Sequence, residues 1–152
     1  MSDTDESKEE LEMDLADLLG AHQGVSHQVL TLYIPDKDRH GNEIGTQRKW
    51  VLEAAHLLAL MGGGVTIMPS TEGGWFDEQN QVIIWERPVV VYTYIKPDKF
   101  VEHLSQLREL LHRMGRQTNQ GEIVVEFDGH FYRITQYDAP QEDENDSSNQ
   151  NK

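Results

Sequence analysis

The side chains best suited to chemistry gather in one short stretch. Glu72-Gly73-Gly74-Trp75-Phe76, followed by Trp85, puts large aromatics in and beside a glycine-containing loop, where neither helix nor strand packing demands them. Aromatics at a domain edge are the usual anchors of a ligand or a partner. Glu72, Glu86, Tyr92, Tyr94, Arg116 and Glu122 are the polar groups available to a pocket built there. Glu122 closes a run from Arg116 through Gln117, Thr118, Asn119, Gln120 and Gly121, whose polar side chains suit a small polar ligand or a subunit contact. The competing structural reading pairs Trp75 with Trp85 across a hairpin, where they cap their own core. A second feature is a basic helix face, Arg108, His112, Arg113 and Arg116, for which the acidic N-terminal segment is a natural intramolecular cover.

Other chemistries find no support. The chain has no cysteine, so disulfides, thiolate metal sites and cysteine nucleophiles are absent. There is no G-x-S-x-G elbow, and Ser26, Ser70 and Ser105 lack a nucleophile's local context. Gly62-Gly63-Gly64 follows a helix pattern and precedes a strand pattern, the reverse of a phosphate-cradling loop, and reads as a helix C-cap. None of the seven histidines forms a pair at metal-binding spacing; His103 and His112 are nine apart and point to different helix faces. The loop Asp36 to Asn42 begins like a calcium loop, but His40 fills the third ligand slot, Gln47 stands where a bidentate Glu is needed, and a strand leads into it. No catalytic residue, metal ligand or cofactor is assigned.

The elements that must position these residues lie between two acidic ends. The 152 residues hold 13 Lys+Arg against 27 Asp+Glu, a formal charge of -14. Residues 1–26 carry eight acids against Lys8 and residues 138–152 carry five against Lys152, so the interior is close to neutral. The expected organisation is an acidic arm over 1–26, with Leu11, Leu15, Leu18 and Leu19 on one side of a short amphipathic helix, a single αβ domain over 27–137, and a disordered acidic tail over 138–152. Net negative charge argues against general nucleic-acid binding. No apolar run approaches the roughly 20 residues of a membrane helix. The acidic opening is unlike a secretory signal, which points to the cytoplasm.

Within the domain the apolar run Val29 to Ile34 reads as a strand, and Thr46 caps a helix carrying Trp50, Val51, Ala54, Ala55, Leu58 and Met61. A short strand at Val65 to Met68 follows, then a long strand-like stretch from Gln81 to Ile95 divided by Pro88. Asp98 opens a second helix with Phe100, Leu104, Leu107, Leu111 and Met114 on one stripe, ending at Gly115. Asp128-Gly129 then joins two apolar runs as a hairpin turn. The order β, α, β, (β)β, α, ββ predicts an α+β fold, a ferredoxin-like two-layer sandwich with a mainly antiparallel sheet and two helices on one face.

The series TLYIP, LLALMGGGVTIMP, GGWF, ERPVVVYTYI and HRMGRQTNQGEIVVEFDGHFYRI resembles small bacterial proteins of unassigned function, over about residues 27–135. The resemblance implies one compact bacterial αβ domain and brings no activity with it. The first expectation for function is a non-enzymatic interaction or regulatory module that docks on a protein partner, or self-associates, through the open sheet face and the Trp75 arm. The alternative is a small-molecule-binding domain or enzyme, with a pocket between the sheet and the 70–85 arm.

Overall fold

The computed structural model describes residues 15–22, 28–69 and 71–140. Most of the expected acidic arm, and the tail from 141 onward, lie outside the described residues. Residues 15–19 are helical, with Leu15, Leu18 and Leu19 exposed. The domain runs β1 (Val29–Ile34), α1 (Gln47–Gly62), β2 (Thr66–Met68), β3 (Gly73–Asp77), β4 (Val82–Glu86), β5 (Val89–Tyr94), α2 (Pro97–Glu102), α3 (Leu104–Gln117), β6 (Ile123–Phe127) and β7 (His130–Ile134).

Five strands form one antiparallel sheet in the order β2-β5-β1-β6-β7, while β3 and β4 pair only with each other. Strand alternation sorts the central sheet into two faces. Leu30, Leu32 and Ile34 of β1, Val91 of β5, and Ile123 and Val125 of β6 turn inward. They share one core with Trp50, Val51, Ala54, Leu58 and Met61 of α1 and Leu107, Leu110, Leu111 and Met114 of α3. Each such buried aliphatic side chain contributes about 1.5–3 kcal/mol, so this face drives folding. The residues between them, including Thr31, Tyr33, Val90, Tyr92, Val124, Glu126, Phe131 and Arg133, lie on the opposite, outer face.

The mixed α+β architecture with an antiparallel sheet agrees with the sequence, as do the turn at Asp128-Gly129, both at positive φ (50° and 78°), and the left-handed cap at Gly63. Three details differ. Thr46 stands at the N-cap of α1, but its hydroxyl accepts from the Trp50 indole N–H at 3.2 Å instead of capping the backbone. The helix expected from Asp98 is two helices. Pro97 occupies the first turn of α2, which forces Lys96 into an extended cap, and Asp98 lies in that first turn, where its charge complements the helix dipole. The chain breaks at His103, and α2 is drawn to the sheet by Phe100, whose ring stacks on Phe127 at 4.8 Å. Gly115, read as a stop, lies inside α3, which continues to Gln117. It is glycine because a Cβ there would overlap the Tyr137 ring packed against it.

Candidate active-site cleft

The β3–β4 hairpin stands over the outer face of the large sheet. Its register pairs Gly73 with Glu86, Gly74 with Trp85, Trp75 with Ile84 and Phe76 with Ile83. Trp75 and Trp85 therefore point to opposite faces of the hairpin, and the expected cross-strand Trp pair does not form. Gly74 makes room for the Trp85 ring, since a Cβ would come within 3.2 Å of it and 2.8 Å of Ile83. Phe76, Ile83 and Trp85 are exposed on the side away from Trp75.

Between hairpin and sheet lies a cleft of about 630 Å³. The hairpin contributes Gly73, Gly74, Trp75 and Glu86; the sheet contributes Tyr33, Val124, Glu126, Phe131 and Arg133. Asp38 and Arg39 close it from the loop after β1, and Gln120, Gly121 and Glu122 from the loop before β6. The Tyr33 hydroxyl donates to Glu126 at 2.8 Å. In the ladder Thr31 opposes Glu126, so Tyr33 lies on the adjacent diagonal of the same face, a separation a long side chain spans. Burial, then the hydrogen bond to Glu126 and its charge, push the Tyr33 phenol up to about 12. Tyr33 is therefore a donor, not a base, at any physiological pH.

Of the two arginines that line the cleft, Arg133 is ion-paired and Arg39 is held by a neutral carbonyl. Arg133 donates to Glu122 at 2.7 Å, and Arg39 donates to the Gln120 carbonyl at 2.9 Å. Asp38 accepts from the backbone N–H groups of His40 (2.8 Å) and Asn42 (3.0 Å); the Asn42 bond leads in holding its carboxyl below the usual range. The loop that begins like a calcium site is thus a self-satisfied turn. Glu86 accepts from the Trp75 indole N–H at 3.3 Å, and burial pushes its carboxyl up. Glu86 and Glu126 take hydrogen bonds from neutral donors, and neither has an ion-pair partner among the described residues.

Of the residues singled out from sequence, Trp75, Glu86 and Glu122 meet in this cleft. Glu72 and Trp85 line a second hollow with Asp36, Lys37, Glu43, Glu86 and Arg87. Phe76 is on the outer side of the hairpin, and Tyr92 and Tyr94 lie along β5 outside the cleft lining. The basic helix face is already occupied. Arg108 binds the Asp138 carboxylate at 2.8 and 2.9 Å, Arg116 donates to the Asp138 carbonyl at 2.5 Å, and Arg113 reaches both Glu109 (2.8 Å) and Glu53 (3.1 Å). His112 is buried and accepts the Asp138 N–H at its Nδ1. The cover comes from Asp138 and from α1, not from the described part of the N-terminal segment. The loop from Arg116 to Glu122 is likewise spent partly inside: Gln120 is buried and donates to the Lys37 and Thr118 carbonyls.

Sequence reasoning missed Tyr33, Glu126, Asp38, Arg39, Phe131 and Arg133. The available signal was phase in β1 and β6, where Tyr33 and Glu126 alternate with apolar core positions; β7, with His130 and Tyr132 in its other phase, carries no such signal for Phe131 and Arg133. No group of three or more metal-capable side chains occurs among the described residues, and no described helix is long and apolar enough to cross a membrane.

No protein-family model matches the sequence, and no curated protein matches it. Solved structures do match in shape. A phage SAM lyase in complex with S-methyl-5'-thioadenosine superposes with a TM-score of 0.51 at 12% identity, covering 76% of this chain and 94% of that one. A phage SAM lyase in its apo state gives 0.51 at 12%, covering 78% and 97%. At this identity the likeness is one of fold. It corrects the first functional expectation: the non-enzymatic interaction or self-association module gives way to a fold that an enzyme uses, and the pocket reading is the one that stands closer.

Proposed function

We propose that the protein is a small-molecule enzyme whose site is the cleft under the β3–β4 hairpin, and that its substrate is a sulfonium-bearing nucleoside of the S-adenosylmethionine type. The strand order β2-β5-β1-β6, with α1 and α3 as crossovers, supports reading the scaffold as ferredoxin-like, with an extra edge strand and the hairpin inserted before β5. The observation that carries the functional reading is the pair of carboxylates, Glu86 and Glu126, that line an aromatic-walled cleft without an ion-pair partner among the described residues, while of the two arginines there Arg133 is paired with Glu122 and Arg39 is held by the Gln120 carbonyl. A partly desolvated carboxylate favours a positive ligand, and aromatic faces add attraction for a cation. A sulfonium is a permanent cation and suits both.

The chemistry has a simple electrostatic logic. When the C–S bond to the amino-acid chain of such a sulfonium breaks, its electron pair stays on sulfur while the substrate's own carboxylate oxygen bonds to the carbon and closes a lactone; the positive charge on sulfur disappears, leaving a neutral thioether such as S-methyl-5'-thioadenosine. A site that holds its ligand by charge then releases it. Tyr33, locked as a donor, fixes the orientation of Glu126; Arg133 does the same for Glu122.

The test is calorimetry and chromatography with the intact chain. S-adenosylmethionine binds at least tenfold more tightly than its neutral thioether counterpart, S-adenosylhomocysteine; Glu126→Gln narrows that gap; and S-methyl-5'-thioadenosine accumulates on incubation. Equal affinity for cation and thioether, with no product, refutes the reading.

A further inference from the structure

Both walls of the cleft carry aromatic rings: Tyr33, tied by its hydroxyl to Glu126, and Phe131 on the sheet, and Trp75 on the hairpin. Trp75 belongs to the hairpin, on the face that carries Glu86, and Phe131 belongs to β7, on the same sheet face as Glu126. They are 46% and 59% exposed, although rings of this size gain most from being covered. Neither takes part in a ring–ring contact among the described residues. The Trp75 edge is engaged by Glu86 through its N–H, so the indole is oriented while its faces have no aromatic partner.

The spacing between the walls is not set by a β-ladder, because the hairpin forms its own two-stranded sheet. It is tied down at its base, where Lys37 Nζ donates to the Trp85 carbonyl at 3.2 Å and the Arg87 N–H donates to Asp36 at 3.1 Å. Two half-exposed rings on separately built walls fit a flat group inserted between them better than they fit a compact charge, which the carboxylates already serve.

We propose that Trp75 and Phe131 are the jaws of an aromatic clamp for a flat heteroaromatic ring of the purine type, and that Trp75 sets the specificity for that ring. The inference rests on the small-molecule reading of the cleft, but not on any reaction occurring there. Base–aromatic stacking is sequence-tolerant and is worth about tenfold in affinity per face.

The experiment titrates adenosine against the intact chain, with S-methylmethionine, a sulfonium without a base, as the ring-free probe. Trp75→Ala and Phe131→Ala each weaken adenosine about tenfold and weaken S-methylmethionine less, because the carboxylates that hold its charge remain; Trp75→Phe keeps adenosine within about threefold. Trp85→Ala, on the opposite side of the hairpin, has no effect. Circular dichroism and melting temperature report folding of each variant, and Phe131→Ala tests the clamp without touching the hairpin. The clamp is overturned if adenosine does not bind at millimolar concentration, if the two alanine variants bind it like the parent, or if Trp85→Ala matches Trp75→Ala. Trp75-dependent adenosine binding in a protein that neither prefers nor cleaves S-adenosylmethionine upholds the clamp and removes the sulfonium reading.

Discussion

Tyr33 and Glu126 are 93 positions apart in the chain and 2.8 Å apart in space, and their contact has a measurable pH signature. The Tyr33 phenol is raised to about 12, first by burial and then by its bond to Glu126, against about 10 for a phenol in the unfolded chain. Below pH 10 neither state is ionised, and the pair's full contribution to stability is present. As pH climbs from about 10 to about 12 the unfolded chain gives up its proton while the folded one keeps it, so the unfolded state binds fewer protons and stability falls. Tyr33→Phe should cost about 1 kcal/mol at pH 7 through the lost hydrogen bond, and its stability should decline less than that of the parent between pH 10 and 12. Denaturant unfolding across that range, together with phenolate absorbance, measures both. A parallel decline in the two proteins would mean that Tyr33 does not hold its proton.

At the scale of elements, α3 and the segment after β7 are fitted to each other through Gly115 and Tyr137. A glycine inside a helix costs about 1 kcal/mol relative to alanine, so its presence needs a packing reason. The Tyr137 ring lies where a Cβ would be, and its hydroxyl donates to the Gln120 carbonyl at 3.0 Å. Overpacking of this kind costs about 1–3 kcal/mol and exceeds the gain in propensity. Gly115→Ala should therefore lower the melting temperature of the parent but raise that of a Tyr137→Ala background. The sign reversal in the double-mutant cycle is the diagnostic; the same sign in both backgrounds would sever the link. Gly115 also illustrates what the sequence could and could not convey. Signals confined to neighbouring residues were legible: the apolar phase of β1, the Asp128-Gly129 turn, the division of β4 from β5 at Pro88. A glycine that ends a helix and a glycine that admits a distant ring look alike in one dimension. The hairpin's register, not its composition, sends Trp75 and Trp85 to opposite faces, and the Tyr33–Glu126 diagonal exists only once β1 and β6 are paired. The site was half legible for that reason: Trp75, Glu86 and Glu122 were local, whereas the sheet wall was a consequence of topology.

For the molecule as a whole, the hydrophobic core and the proposed binding cleft lie on different faces of one sheet. The inner face holds every residue of the hydrophobic core, and none of that core comes from residues 73–86. The hairpin makes its own ladder, buries no large apolar side chain, and leaves Trp75, Phe76, Ile83 and Trp85 about half exposed. Such a hairpin is marginal in isolation and adds little to the fold that carries it, yet it supplies one wall of the cleft. Replacing residues 73–86 with a short glycine linker should therefore leave a cooperative unfolding transition within about 4 °C of the parent, a shift equivalent to about 1 kcal/mol for a chain of this size. The same excision should abolish binding of adenosine and of S-adenosylmethionine. Thermal melting and calorimetry on the one protein decide the matter together: a large loss of stability would place the hairpin in the folding unit, and retained binding would place the site elsewhere. If both outcomes fall as argued, the charge of -14, carried mostly by the two ends, is no guide to the ligand, and the relevant electrostatics are those of the charged groups lining the cleft, with Glu126 on the sheet and Glu86 on a detachable roof.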